Sequence, residues 1–214
     1  MHSSLPEAYK IGWVPFIHTD IYLDSRPLIP RTETEYWVNE AIQEIKKSGV
    51  VAPRILDLCA GSGCIGVAVL KEIPEALVDF AEIDPTHHET IRKNITENKL
   101  DSSRTRIFGG DLFENVSGTY DFILANPPYI NPELIGRVQD SVLKHEPSKA
   151  LLGGKRGLEI INRILLDAPK HLKKNGVLYL EHEPEQVPEL LKHPLYKGSY
   201  QDQFGILRFS KFSN

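Results

Sequence analysis

The stretch RILDLCAGSGCIGVAVLKEIP, residues 54–74, constrains the fold more than any other part of the chain. A short apolar run, carrying the single acid Asp57, enters a glycine turn and leaves it as an apolar helix that Pro74 ends. Predominantly apolar runs of this length belong to strands buried on both faces, as in parallel sheets. The same alternation continues downstream. LVDFAEID reads as a second strand, PTHHETIRKNITENKL as a helix opened by proline, RIFGGDLF as a third strand with a loop, and YDFILANPPY as a fourth strand that stops abruptly. GLEIINRILLDAPKHLKKNG is amphipathic, with Leu158, Ile161, Ile164, Leu165 and Leu172 on one side; GVLYLEHE is a fifth strand, EQVPELLKH a short helix, and YKGSYQDQFGILRFS a closing hairpin. Ahead of the glycine turn, TETEYWVNEAIQEIKKSG places Trp37, Val38, Ala41, Ile42 and Ile45 at helical spacing, with acids early, lysines late and Gly49 as a stop. The alternation predicts an α/β fold: a mostly parallel central sheet, helices on both faces and a C-terminal antiparallel hairpin.

With 214 residues, one domain is expected, comprising an N-terminal segment and opening helix over 1–48 and the core over 49–214. No apolar stretch approaches the roughly 20 residues that cross a bilayer, so no membrane partner is expected. The opening MHSSLPEAYK has neither the pattern of a secretory leader nor that of an organelle address, and the expected location is cytoplasmic. Cys59 and Cys64 flank the glycine loop without His or Cys neighbours at ligand spacing, which argues against a zinc site; no metal is expected. A net charge of −4 gives no global attraction to phosphates, and nucleic acid is not expected to bind directly. The lysines of RKNITENK and LKKNG alternate with acids or asparagines, as on solvated helix faces.

Ligands of open α/β sheets bind beyond the carboxyl ends of the strands, so residues at strand ends are the candidates. Gly61, Gly63 and Gly66 satisfy G-x-G-x-x-G between a strand and a helix, and Glu82 follows Gly61 by about 20 positions, where a carboxylate can accept from ribose hydroxyls. Dinucleotides and S-adenosylmethionine both carry that ribose. Asp57 separates them, because an acid leading into the loop repels a diphosphate and attracts a sulfonium cofactor with an amino group. A glycine turn that only packs helix on strand would have the same local sequence. Asp111 and Leu112 end the third strand, where a carboxylate could take an adenine amino group and an apolar side chain could flank the ring; a lone Asp there is also a common turn or cap residue.

Asn126-Pro127-Pro128-Tyr129 ends the fourth strand with an amide, two prolines and a ring. An amide or exocyclic amine nitrogen has a delocalised lone pair and is a poor nucleophile, so a site that methylates one must hold both N–H bonds in place. The Asn126 oxygen offers one acceptor and the Pro127 carbonyl a second, fixed in direction by the proline torsions. Tyr129 can lie over the planar group. No strong base is needed, because the proton becomes acidic only after the methyl arrives.

These residues resemble the HemK-type peptide-chain-release-factor glutamine methyltransferases. The resemblance runs from about Tyr9 to the C-terminus and is carried by PLIPRTETEYWV, ILDLCAGSGCIGVAV, NPPYI, HEPSKALLGGKRGLEIINRIL and YQDQFGILRF. It implies a Rossmann-like class I S-adenosylmethionine-dependent methyltransferase. By resemblance, Cys59, Ala60, Gly61, Ser62 and Gly63 wrap the methionine part of the cofactor, Glu82 holds the ribose, Asp111 and Leu112 the adenine, and Asn126 to Tyr129 the substrate glutamine. The implied partner is a translation release factor, methylated at the glutamine of its Gly-Gly-Gln loop. Arg31, Glu33, Glu35 and Glu146 fit as framework or substrate-side residues, with ion-pair roles expected rather than catalytic ones. Family members carry a helical domain before the Tyr9 region, and the expectation here is a catalytic domain without it. Thr32 stands where the family has a second proline.

Asn-Pro-Pro-Tyr alone is shared with adenine methyltransferases, so methylation of adenine in RNA or DNA, or of another protein amide or amine, is the alternative. A flipped adenine needs stacking and a basic groove, which the acidic balance disfavours. A copy that binds the cofactor without catalysing has no physical need of both the glycine loop and the intact NPPY.

Overall fold

The computed structural model describes residues 5–214, so part of the leader reading, at residues 1–4, lies outside the described residues. A short helix α1 (Glu7–Ile11) leads into a two-stranded antiparallel hairpin, β1 (Trp13–Phe16) and β2 (Thr19–Tyr22), and then into α2 (Thr32–Lys47). The core follows as β3 (Arg54–Leu58), α3 (Cys64–Glu72), β4 (Leu77–Glu82), α4 (Pro85–Glu97), β5 (Thr105–Gly109) and β6 (Tyr120–Ala125). After α5 (Asp140–His145) come α6 (Glu159–His171), β7 (Leu172–Glu181), α7 (Val187–Leu190), β8 (Tyr196–Gln201) and β9 (Leu207–Ser213).

The seven-stranded sheet has the order β5-β4-β3-β6-β7-β9-β8, parallel as far as β7 and antiparallel through β9 and β8. Chain order reverses between β3 and β6, and the crevice at that switch point is where ligands of such sheets sit. Because side chains alternate along a strand, each strand feeds two cores. Ile55, Val78, Phe80, Phe122 and Leu124 pack under α2, α3 and α4, while Leu56, Leu58, Ile123, Leu178 and Leu180 pack under α6 and α7. No described helix is long and apolar enough to cross a membrane.

The fold matches the expected α/β class, with the sheet and closing hairpin as read from sequence. Two local expectations need correction. The amphipathic run 157–176 was expected as one helix, but it ends at His171, and LKKNG belongs to β7. Pro169 has no N–H to donate, and the helix closes within a turn, with Leu172 N–H bonding Ala168 O. Lys173 then reaches Asp121 at 2.7 Å.

The second is the β1–β2 hairpin, which the sequence reading does not contain. Its two-residue turn places Ile17 and His18 at φ 37° and 54° without the Gly or Asn that signals such turns, and Pro15 lies within β1. Side chains of α4 cover the open edge of β2. Asn94 accepts from Tyr22 N at 2.7 Å and donates to Tyr22 O, and Asn98 pairs with Asp20 N and O in the same way. Two amides four residues apart on one helix face thus stand in for a neighbouring strand.

Candidate active site

Beyond the ends of β3 to β6 lies a cleft of about 350 Å³. The loop after β3 turns through Cys59, Gly61 and Gly63 at φ 62°, 54° and 79°. Cys59 holds a left-handed conformation that is uncommon outside glycine, and so does Leu112 across the cleft at φ 53°. Strained residues of this kind cluster at ligand sites. Gly66 is needed for a different reason: a Cβ there would lie 2.3 Å from the Phe80 ring, so α3 could not approach β4.

Asp57 is completely buried beneath this loop, where its Oδ2 accepts from Gly66 N at 2.9 Å. Its Oδ1 is buried without a hydrogen-bond partner. Burial, with the charge of Glu82 nearby, pushes its carboxyl up to about 8 despite the Gly66 bond. Glu82 ends β4 and grips the loop from the other side. Its Oε2 accepts from Gly61 N at 2.7 Å and its Oε1 from Asp84 N at 2.8 Å. Asp111 faces the same cleft and is paired with Arg163 at 2.7 Å. Both thiols, Cys59 and Cys64, are unoxidised and raised by burial.

At the end of β6, Asn126 borders this cleft and also a second cavity of about 380 Å³, which Pro127, Tyr129, Arg31 and Glu33 help to line. The corner is clamped from behind. Ile130 N bonds Leu151 O at 2.9 Å, Gly153 N bonds Ile130 O at 3.0 Å, and Gln186 Nε2 donates to Tyr129 O at 2.8 Å and Gly157 O at 3.0 Å. Gly157, at φ 70°, packs so closely that a Cβ would fall 2.0 Å from Tyr129 O. Asn126 Nδ2 donates to Thr34 Oγ1 at 3.2 Å, and Thr34 donates to Glu181 Oε2 at 2.7 Å. Glu181 also accepts from Trp37 Nε1 at 2.5 Å and from the Tyr129 hydroxyl at 2.9 Å. Burial raises the Glu181 carboxyl, against the lowering effect of those three donors. The Tyr129 phenol is held well above its usual value by burial and by Glu181.

Of the residues singled out in sequence, Cys59, Gly61, Glu82, Asp111, Leu112, Asn126 and Pro128 line the cleft, while Pro127 and Tyr129 line the adjoining cavity with Asn126. Asp57, Ala60, Ser62 and Gly63 lie outside the lining of both and shape the loop from below or within. Arg31 and Glu146 form an ion pair at 2.6 Å, and Glu35 accepts from Ile17 N at 2.8 Å, both as framework contacts. Glu181, Thr34 and Trp37 were not read as site residues. The one local signal for them was a carboxylate ending an otherwise apolar strand, VLYLE. Among the described residues, no cluster of His, Cys, Asp or Glu could hold a metal ion.

The model of the methyltransferase small domain matches residues 41–149. A curated relative from Rhodopirellula baltica, named release factor glutamine methyltransferase, is 37% identical over 84% of the chain and 62% of its own length. One from Bordetella pertussis, named ribosomal protein uL3 glutamine methyltransferase, is 33% identical over 95% of the chain and 70% of its own. The chain belongs to this glutamine methyltransferase family. It spans about two thirds of the length of these relatives. The fold of the family is shared with the Thermus thermophilus 16S rRNA N2 G1207 methyltransferase in complex with AdoMet and guanosine, at TM-score 0.64 and 18% identity over 94% of this chain and 49% of that one.

Proposed function

We propose that the protein methylates the side-chain amide nitrogen of a glutamine in a protein of the translation machinery, with S-adenosylmethionine as donor. The observation that carries the reading is the place of Asn126, on the shared wall of the loop cleft and the NPPY cavity. A cofactor in the first and an amide in the second meet there.

The cleft residues fit the cofactor. The buried Asp57 Oδ1 beneath the glycine loop is an acceptor without a partner, a bound cation nearby favours the ionised form of this carboxyl, and Cys59 and Gly61 line the cleft beside it. When bound, the cofactor supplies an electrophilic methyl on a sulfonium. Glu82 is the residue for the ribose hydroxyls, since each of its oxygens has lone-pair capacity beyond the one backbone donor it already accepts. Asp111 and Leu112 border the adenine end. The Asn126 side-chain oxygen and the Pro127 carbonyl hold the two N–H bonds of the substrate amide, and Tyr129 walls the plane. Such fixed acceptors select a nitrogen with two hydrogens and hold it in attack geometry.

The substrate proposed is a translation release factor, at the glutamine of its Gly-Gly-Gln loop, in the cytoplasm. The test is incubation with isotope-labelled S-adenosylmethionine and three acceptors: a purified release factor, the same factor with that Gln→Ala, and ribosomal protein uL3. Label on the unaltered release factor alone is expected. Label on uL3 alone would move the substrate to the ribosome, and label only in RNA or DNA fractions would overturn the glutamine reading.

A further inference from the structure

Resting on the reading of the NPPY corner as the amide-holding site, we propose that Glu181, acting through Thr34, is the positioning residue that sets which end of the Asn126 side chain faces the substrate. An asparagine amide has a donor end and an acceptor end of almost the same shape, and local packing barely distinguishes them. Only one orientation serves a substrate NH2, which needs an acceptor.

The direction is fixed by what lies behind Asn126. Glu181, at the end of β7, is 1% exposed. Its strand neighbours β6, with Ala125 opposite Leu180, so the carboxylate stands beside the NPPY corner. An indole N–H only donates, so the carboxyl oxygen it meets is an acceptor. Trp37 therefore donates to Oε2, and the single proton of the Thr34 hydroxyl is also drawn to Oε2, at 2.7 Å. The Thr34 oxygen can then meet Asn126 only as an acceptor. Across the 3.2 Å contact Asn126 must present Nδ2, which turns Oδ1 away from Thr34. The other carboxylate oxygen takes the Tyr129 proton at 2.9 Å and holds that ring. One buried carboxyl group thus orients both polar side chains of the corner.

Thr34 and Trp37 both lie on α2, so a carboxylate that merely docks this helix is the competing explanation. Thr34→Val separates the two, because it keeps shape and the Trp37–Glu181 bond and removes only the relay; Thr34→Ser restores the hydroxyl. Positioning predicts that Thr34→Val lowers kcat by roughly tenfold or more, with KM and cofactor Kd within about twofold, and that Thr34→Ser recovers most of the loss. A second readout does not need turnover. In 15N-labelled protein, the Asn126 side-chain amide, assigned by its absence in Asn126→Asp, should exchange with water roughly tenfold faster in Thr34→Val and in Glu181→Gln than in the unaltered protein or Thr34→Ser. Wild-type exchange and turnover in Thr34→Val would overturn the relay. If the unaltered protein methylates no glutamine, the exchange result alone decides: fast exchange in the two variants keeps the relay while the functional reading falls, and unchanged exchange removes both.

Discussion

At the scale of single residues, the site depends on carboxylates held in places that resist charge. Asp57 is the extreme case, buried with one oxygen unpartnered and its carboxyl pushed up to about 8. A carboxyl raised in the folded state contributes its full stability below its unfolded value near 3.8 and loses it as pH climbs through about 8. Asp57→Asn cannot ionise. The unfolding free energy of the unaltered protein minus that of Asp57→Asn should therefore fall steadily from pH 4 to pH 8 without cofactor; equal slopes in denaturant titrations would show that Asp57 does not titrate in this window. On the proposed reading, Glu82 serves cofactor binding and Asn126 serves transfer. Glu82→Ala removes charge-assisted bonds worth about 1.5–3 kcal/mol and should weaken the cofactor Kd by roughly tenfold or more, which calorimetry measures. Asn126→Ala removes one positioned acceptor and should slow transfer about 100-fold with cofactor affinity nearly unchanged; a collapse of that affinity would make Asn126 a cofactor residue instead. Asp57, Glu82 and Asn126 were legible in sequence because each sits at or next to a strand end beside its motif. Glu181 and Thr34 were not, since their bond joins residues 147 positions apart, and no local pattern marks it.

At the scale of elements, the segment from Asn131 to Leu158 caps the NPPY corner with short 3-10 turns and the short helix α5, none long enough to hold itself, and tethers must hold it. Glu146, at the end of α5, is buried and accepts from Ile29 N at 3.0 Å and from Arg31 at 2.6 Å, tying the segment to the chain just before α2. Glu146→Ala strands a buried backbone N–H and frees the Arg31 guanidinium, so local opening becomes easier. Limited proteolysis should cut within 131–158 about tenfold faster while far-UV circular dichroism is unchanged; an unaltered cleavage rate would mean that the Gln186 and Gly157 contacts hold the segment alone. The main strands and helices were legible because apolar runs and helical periods are local signals. The β1–β2 hairpin was hidden because its turn forces Ile17 and His18 into positive φ, a cost that the tertiary bonds from Asn94 and Asn98 offset.

At the scale of the molecule, the N-terminal segment from Phe16 through α2 is built into the methyltransferase core. Phe16, Ile21, Trp37, Ala41, Ile42 and Ile45 share one cluster with Ile55, Val67, Phe80 and Leu124, and Trp37 stacks on Phe209 of β9 at 5.8 Å between centroids. The same helix carries Thr34 to the NPPY corner, so stability and the geometry of that corner are coupled through α2. Ile42 tests that coupling cleanly, being fully buried and apolar, with no hydrogen bond to lose. Ile42→Ala should cost about 2–5 kcal/mol, a large part of the roughly 5–15 kcal/mol that holds a domain of this kind. If the chain unfolds as one unit, that loss appears equally in the hydrogen-exchange protection of α2 and of the central strands β3 and β6. Protection lost from α2 alone, with β3 and β6 still at their original values, would make the N-terminal segment an appendage that opens on its own, and Thr34 would then leave Asn126 each time it did.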